Sequence, residues 1–224
     1  MAEIVLLHSA LGLRPGVAAA ADRLREAGHI VHTPDLFPGD APLETYRPAA
    51  DRLSAVGIPV LAERARAAVD QLPGTLVYAG FSIGASLAAH LAARRPGARA
   101  AILLHGAFDP VSLGLTRWPS SVPMQIHFSV RDRYRDNEAI GRLSNLVRSS
   151  GAECSVFDYP GAAHLFADPS LPSAYNPESA ELMWTRVLDL LARIDTGVPQ
   201  RSPSPPDRPP SPAGGRSSTQ RTHE

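Results

Sequence analysis

The chain has 224 residues, 44% of them hydrophobic, with 22 acidic and 22 basic side chains that balance to a formal charge of zero. That apolar content suffices for one α/β domain with a sizeable core, and the balanced charge, with no long basic run outside the C-terminal stretch, argues against nucleic acid as a partner. Every basic residue is arginine, a bias that base composition of the gene explains more simply than function.

The opening MAEIVLLHSALG reads as a buried strand over Glu3–His8 running into a loop. It lacks the charged start, long apolar centre and small-residue cleavage site of a signal peptide. No apolar run approaches the roughly 18 to 20 residues of a membrane-spanning helix. A soluble cytoplasmic protein with no membrane partner is the expectation. A helix follows over Pro15–Ala27, then a strand over His29–Thr33. Leu36–Gly57, punctuated by Pro38, Gly39, Pro42 and Pro48, reads as a long irregular excursion that either lines a pocket or simply connects elements.

Beyond it come a helix over Val60–Leu72, a strand over Thr75–Ala79, a helix over Gly84–Arg94, strands over Arg99–His105 and Met124–Ser129, a helix over Asp136–Ser149 and a strand over Glu153–Asp158. Cys154, the single cysteine, falls in that last strand and reads as a small buried apolar residue, so no internal disulfide is possible. The final helix, Pro177–Ile194, has Asn176 ahead of a proline at its first position. Its Ala180, Met183, Trp184, Val187, Leu188 and Leu191 recur at helical spacing and define a face to pack on a sheet. Strands alternating with helices imply an α/β fold, a mostly parallel sheet of about six strands with helices on both faces. From Gly197 the composition turns to Pro, Ser, Gly and Arg. The reading is a folded domain over 1–195 and a disordered Pro/Ser/Arg-rich tail over 196–224. Its SPSPP and RPPSP segments could serve a Pro-binding module or phosphorylation, although a neutral extension accounts for them as well.

Gly80-Phe81-Ser82-Ile83-Gly84 spells G-x-S-x-G at the turn from a strand into a helix. That context presents a serine hydroxyl above the strand ends, lets strand and helix approach closely through the small residues, and offers the amide of Ile83 to a developing oxyanion. A serine nucleophile needs a base, itself oriented by a carboxylate, arriving later in the chain in the order Ser, acid, His. Of eight histidines, His164 in FDYPGAAHLFAD lies on a glycine-containing loop after the sixth strand, where a base is required. His8 could reach the pocket edge, and His127 reads as a satisfied strand residue. For the acid, Asp132 follows the fifth strand. Asp136 reads as a helix cap, Asp109 is an alternative, and Asp158 and Asp168 sit close to His164 in sequence. LLHSALGLRPG supplies a first-strand loop for a second oxyanion amide, Ala10 ahead of Leu11, unless it is an ordinary turn built on Gly12.

With these residues in place the chain resembles the dienelactone hydrolase family of α/β-hydrolases, through LLHSALGLRPGV, TPDLFPG, GFSIGASLA and YPGAAHLF in order, over about residues 3 to 194. The resemblance implies an α/β-hydrolase fold, a catalytic triad of Ser82, Asp132 and His164, oxyanion donors at the amides of Ala10 and Ile83, and no metal or organic cofactor. The family's namesake enzymes carry cysteine at the elbow, an acidic residue where this chain has Ser9, and an arginine where it has Asp168. Asp168 would repel a carboxylate if it faced the pocket, so the expected substrate is a neutral small ester or lactone. Two other readings use the same fold: a non-catalytic binding or regulatory protein, and an acyltransferase or thioesterase.

Overall fold

A computed structural model describes residues 1–196; the expected tail beyond them lies outside the described residues. The element order is β1 (Glu3–Leu7), α1 (Pro15–Glu26), β2 (Ile30–His32), α2 (Tyr46–Val56), α3 (Ile58–Val69), β3 (Val77–Phe81), α4 (Ile83–Arg94), β4 (Ala100–Leu104), β5 (Met124–Ser129), α5 (Asn137–Ser149), β6 (Cys154–Tyr159) and α6 (Pro177–Thr196). The six strands form one sheet in the order β2-β1-β3-β4-β5-β6. Every pairing is parallel, with Val5 opposite Tyr78 and Gly80 opposite Leu103.

Alternate residues of the central strands feed two separate cores, because successive side chains leave opposite faces of a strand. Val5, Leu7 and Tyr78 pack beneath α3, α4 and α5. Ile4, Leu6, Val77 and Ala79 pack beneath α1 and α6. Both faces are therefore covered, which is why these strands read as continuous apolar runs rather than alternating ones. The chain turns from β1 outward to β2 and then crosses back to β3, so the strand order reverses beside β1. Open α/β sheets bind ligands at the carboxyl ends of the strands at such a point.

The start of α5 follows the expected chemistry, with Asp136 accepting from the amides of Glu138 and Ala139, each at 3.0 Å. Asn176 does the same for α6, accepting from Ser179 N–H at 2.9 Å. Cys154 is buried and free. The expectation of an irregular Leu36–Gly57 is corrected by α2. Pro48 falls in the first turn of that helix, where a missing N–H costs nothing. Ala49 is its only fully buried residue, so no apolar stripe marked the helix in the sequence. The next helix, expected from Val60, starts at Ile58.

Candidate active site

Ser82 stands between β3 and α4 with φ 53° and ψ −114°, a backbone conformation that a residue with a Cβ rarely adopts. Close packing imposes it. A Cβ on Gly80 would sit 2.2 Å from the carbonyl oxygen of Gly84, and one on Gly84 would sit 2.4 Å from that of Leu7. A Cβ on Gly106, just past β4, would come within 2.3 Å of the carbonyl oxygen of Ser82 itself. The Ser82 amide donates to the carbonyl of Leu104 at 2.8 Å, which ties the elbow to the neighbouring strand. The hydroxyl is thereby held above the strand ends, at the first turn of α4.

The loops after β5 and β6 bring its partners. His164 Nδ1 lies 2.6 Å from Asp132 Oδ2 and His164 Nε2 lies 2.9 Å from Ser82 Oγ. A carboxylate can only accept, so Nδ1 carries the ring proton, Nε2 keeps its lone pair, and the serine hydroxyl donates to it. The other Asp132 oxygen accepts from the amide of Tyr134 at 2.9 Å. Ser129 Oγ donates to the carbonyl of Ala163 at 2.8 Å, and the amide of Arg131 donates to the carbonyl of Gly161 at 3.1 Å, locking the two loops together. Of the two amides weighed in the first loop, that of Leu11 donates to Ser9 Oγ at 3.2 Å. Ala10 and Ile83 both line the cavity above Ser82.

The other candidates take no part in the hydrogen-bonded chain from Ser82 to Asp132. Asp136 caps α5, as expected. Asp109 accepts from Arg142 Nε at 2.5 Å. Asp158 accepts from Arg135 at 2.7 Å. Buried His8 accepts from the amide of Leu36 at 2.9 Å, a bond that ties the end of β1 to the segment after β2, and it is not part of the cavity wall. Fully buried His127 has Tyr159 Oη at 2.8 Å and Gln125 Oε1 at 3.2 Å, and burial pushes its pKa down to about 3. Asp168 does not face the cavity. It is buried with its Oδ2 3.6 Å from Arg14 Nε, so the repulsion considered from the sequence has no target there.

Several neighbours of the site gave no sequence signal. Tyr46, at the start of α2, donates from its hydroxyl to the carbonyl of His164 at 3.2 Å. Burial, and then Tyr134, push its pKa up to about 12, so it remains a donor. The ring of Tyr134 lies 4.7 Å from that of His164. His105 at the end of β4 has φ 57°, and Leu165, next to His164, has φ 58°. With Ser82 these are the only non-glycine residues with positive φ among those described, so the backbone strain gathers at one place. His105 is buried with neither ring nitrogen bonded, and burial, then the nearby His164, hold its pKa well below the ordinary value. Its position at a strand's carboxyl end was the one available clue. From α2, Arg52 donates to the carbonyl of Ala10 at 2.8 Å while its guanidinium lies 4.0 Å over the ring of Phe37.

A parallel sheet, a serine on a strand-to-helix elbow, and a histidine and an aspartate delivered by later strand loops define an α/β-hydrolase. The model of the dienelactone hydrolase family matches residues 1–195. The chain belongs to that family and is a hydrolase acting on ester bonds. It is 30% identical to a carboxymethylenebutenolidase of Rhodococcus opacus, over 86% of this chain and 81% of the relative. Among solved structures it is similar to a dienelactone hydrolase-like promiscuous phosphotriesterase from metagenomic libraries, with TM-score 0.72, 18% identity and 87% of each chain covered. It is also similar to Thermogutta terrifontis esterase 2 phosphorylated by paraoxon, with TM-score 0.54, 19% identity, and 89% and 85% of the two chains covered. At these identities the structural likenesses speak for the fold.

Proposed function

We propose that the protein hydrolyses a neutral carboxylic ester or lactone through an acyl-enzyme on Ser82. Ser82 Oγ attacks the carbonyl carbon while its proton passes to His164 Nε2, and Asp132 stabilises the imidazolium that forms. The amides of Ile83 and Ala10 hold the oxyanion. Collapse of the tetrahedral intermediate breaks the bond to the alkoxy oxygen, which takes the proton from His164 and leaves as the alcohol. Water then attacks the acyl carbon, giving its proton to His164, and the acid departs as Ser82 regains its hydrogen. A serine hydroxyl is barely ionised near neutral pH, so this route depends on the base more than a cysteine route would.

The observation that carries the reading is the unbroken chain from Ser82 Oγ to His164 at 2.9 Å and on to Asp132 at 2.6 Å, at the wall of a cavity. Fluorophosphonate labelling tests it. The native protein should be labelled at Ser82, and Ser82→Ala should lose both the label and the hydrolysis of p-nitrophenyl acetate; undiminished labelling of the variant would sink the assignment.

A further inference from the structure

The cavity over Ser82 has a volume of about 490 Å³, within the range of pockets that enclose a drug-sized ligand and more than a two-carbon acyl group needs. Apart from the triad members, its wall is mainly apolar, with Asp109, Ser112 and Asp136 among the polar exceptions. Ala49, Ala50 and Leu53 come from α2, and Ile58 and Phe108 continue the surface. The chain has 22 arginines and no lysine, yet none of them lines this cavity. The carboxylates that reach it, Asp109 and Asp136, are occupied, one by Arg142 and the other by the first amides of α5. At the mouth, Ile58 is 41% exposed and Tyr134 is 47% exposed, so the apolar surface continues outward from the interior. The leaving oxygen has to lie beside His164 Nε2, against which Tyr134 packs. The wall formed by α2 and Phe108 is left for the acyl group.

Resting on the reading of Ser82 as nucleophile, we propose that this cavity selects uncharged esters with an apolar acyl group of roughly six to eight carbons, sized to a pocket of this class, and discriminates against acyl groups that carry a carboxylate. An apolar chain is driven into the cavity by removal of its surface from water. A carboxylate taken there would be desolvated with no cation to meet it and two carboxylates nearby.

The test is kcat/KM for p-nitrophenyl esters from acetate to octanoate, together with mono-p-nitrophenyl adipate, in which a carboxylate replaces the terminal methyl of the six-carbon acyl chain. The expected rise is roughly two- to fourfold per methylene as far as hexanoate, with hexanoate at least about tenfold above the adipate half-ester. Ala50 is an exposed residue of α2 that lines the cavity, so charge can be placed there without disturbing the core. Ala50→Arg should narrow the gap between hexanoate and the half-ester by about tenfold, and Ala50→Glu should widen it. Equal kcat/KM for acetate and hexanoate, or a half-ester turned over as well as hexanoate by the native protein, would overturn the proposal. Ser82→Ala separates the two readings: if it keeps the native chain-length profile, the nucleophile assignment fails and the cavity selection stands.

Discussion

Asp132→Asn removes one charge and almost no volume, and the surrounding hydrogen bonds decide what the new amide can do. Asp132 Oδ1 accepts from the amide of Tyr134 at 2.9 Å and Oδ2 faces His164 Nδ1 at 2.6 Å. An asparagine oxygen facing His164 would turn its NH2 onto the Tyr134 amide, donor against donor, and leave a part-buried N–H unpaired, at a cost of about 1–3 kcal/mol. The favoured orientation keeps the oxygen on Tyr134 and points the NH2 at Nδ1. That arrangement requires the other tautomer, in which Nε2 carries the proton and cannot accept one from Ser82. Loss of the base by this route is worth about 10⁴ in kcat where an equivalent aspartate has been replaced, or about 5.4 kcal/mol of transition-state stabilisation. Hydrolysis of p-nitrophenyl hexanoate at pH 7 measures it, with a thermal melt to establish that the variant is folded. A folded Asp132→Asn protein with kcat within tenfold of native would refute both the tautomer argument and the place of Asp132 in the triad.

Arg52→Met keeps much of the side chain's volume but removes the donor to the Ala10 carbonyl at 2.8 Å; kcat should fall about tenfold with little change in KM, because a loosened oxyanion loop costs the transition state more than the ground state. Gly84→Ala would set a methyl 2.4 Å from the Leu7 carbonyl and 2.6 Å from that of His8; denaturant melts should show about 1–3 kcal/mol of lost stability, and activity should fall further than stability because β1, the elbow and the oxyanion loop meet there. His127, with a folded pKa of about 3 against 6.5 when unfolded, is neutral in the fold, so the unfolded chain binds the extra proton between those values. Its contribution is fully present above pH 6.5 and is lost as pH falls toward 3, by at most about 1.4 kcal/mol per pH unit; urea melts at pH 7, 5 and 4 should show a shallower decline for His127→Gln than for the native protein.

The parts of this fold that could be read from sequence are those governed by local rules. Ser82 was legible because its glycines serve a short-range clash: Gly80 against Gly84 lies within one turn. His164 and Asp132 were legible because each follows a strand whose apolar run is unmistakable. The wall of the cavity was not. Ala49, Ala50 and Leu53 belong to a helix with a proline in its first turn and only one fully buried residue, so neither propensity nor periodicity announces it. Tyr46 reaches His164 across the fold, and no spacing in the chain encodes a contact between residues 118 positions apart.

Asp168 illustrates why a charge read from sequence does not fix the chemistry of a pocket. By position it suggested repulsion of an anionic substrate. In the fold its carboxylate lies at the start of α1, where a Cβ on Gly16 would clash with it at 1.7 Å. Ser170 Oγ donates to it at 2.5 Å and Arg14 stands 3.6 Å away. Arg14 in turn donates to the carbonyls of Leu43 and Ser170 at 2.7 and 2.8 Å. A buried carboxylate is tolerated there because a helix N-terminus and a guanidinium both face it. The pair therefore joins the loop after β1, which carries Ala10, to the segment after His164. In the proposed selectivity, discrimination against a carboxylate comes from the arginine-free cavity wall of α2 and Phe108 rather than from Asp168. On that proposal Asp168 bears on the site through the spacing of the two loops that it and Arg14 join.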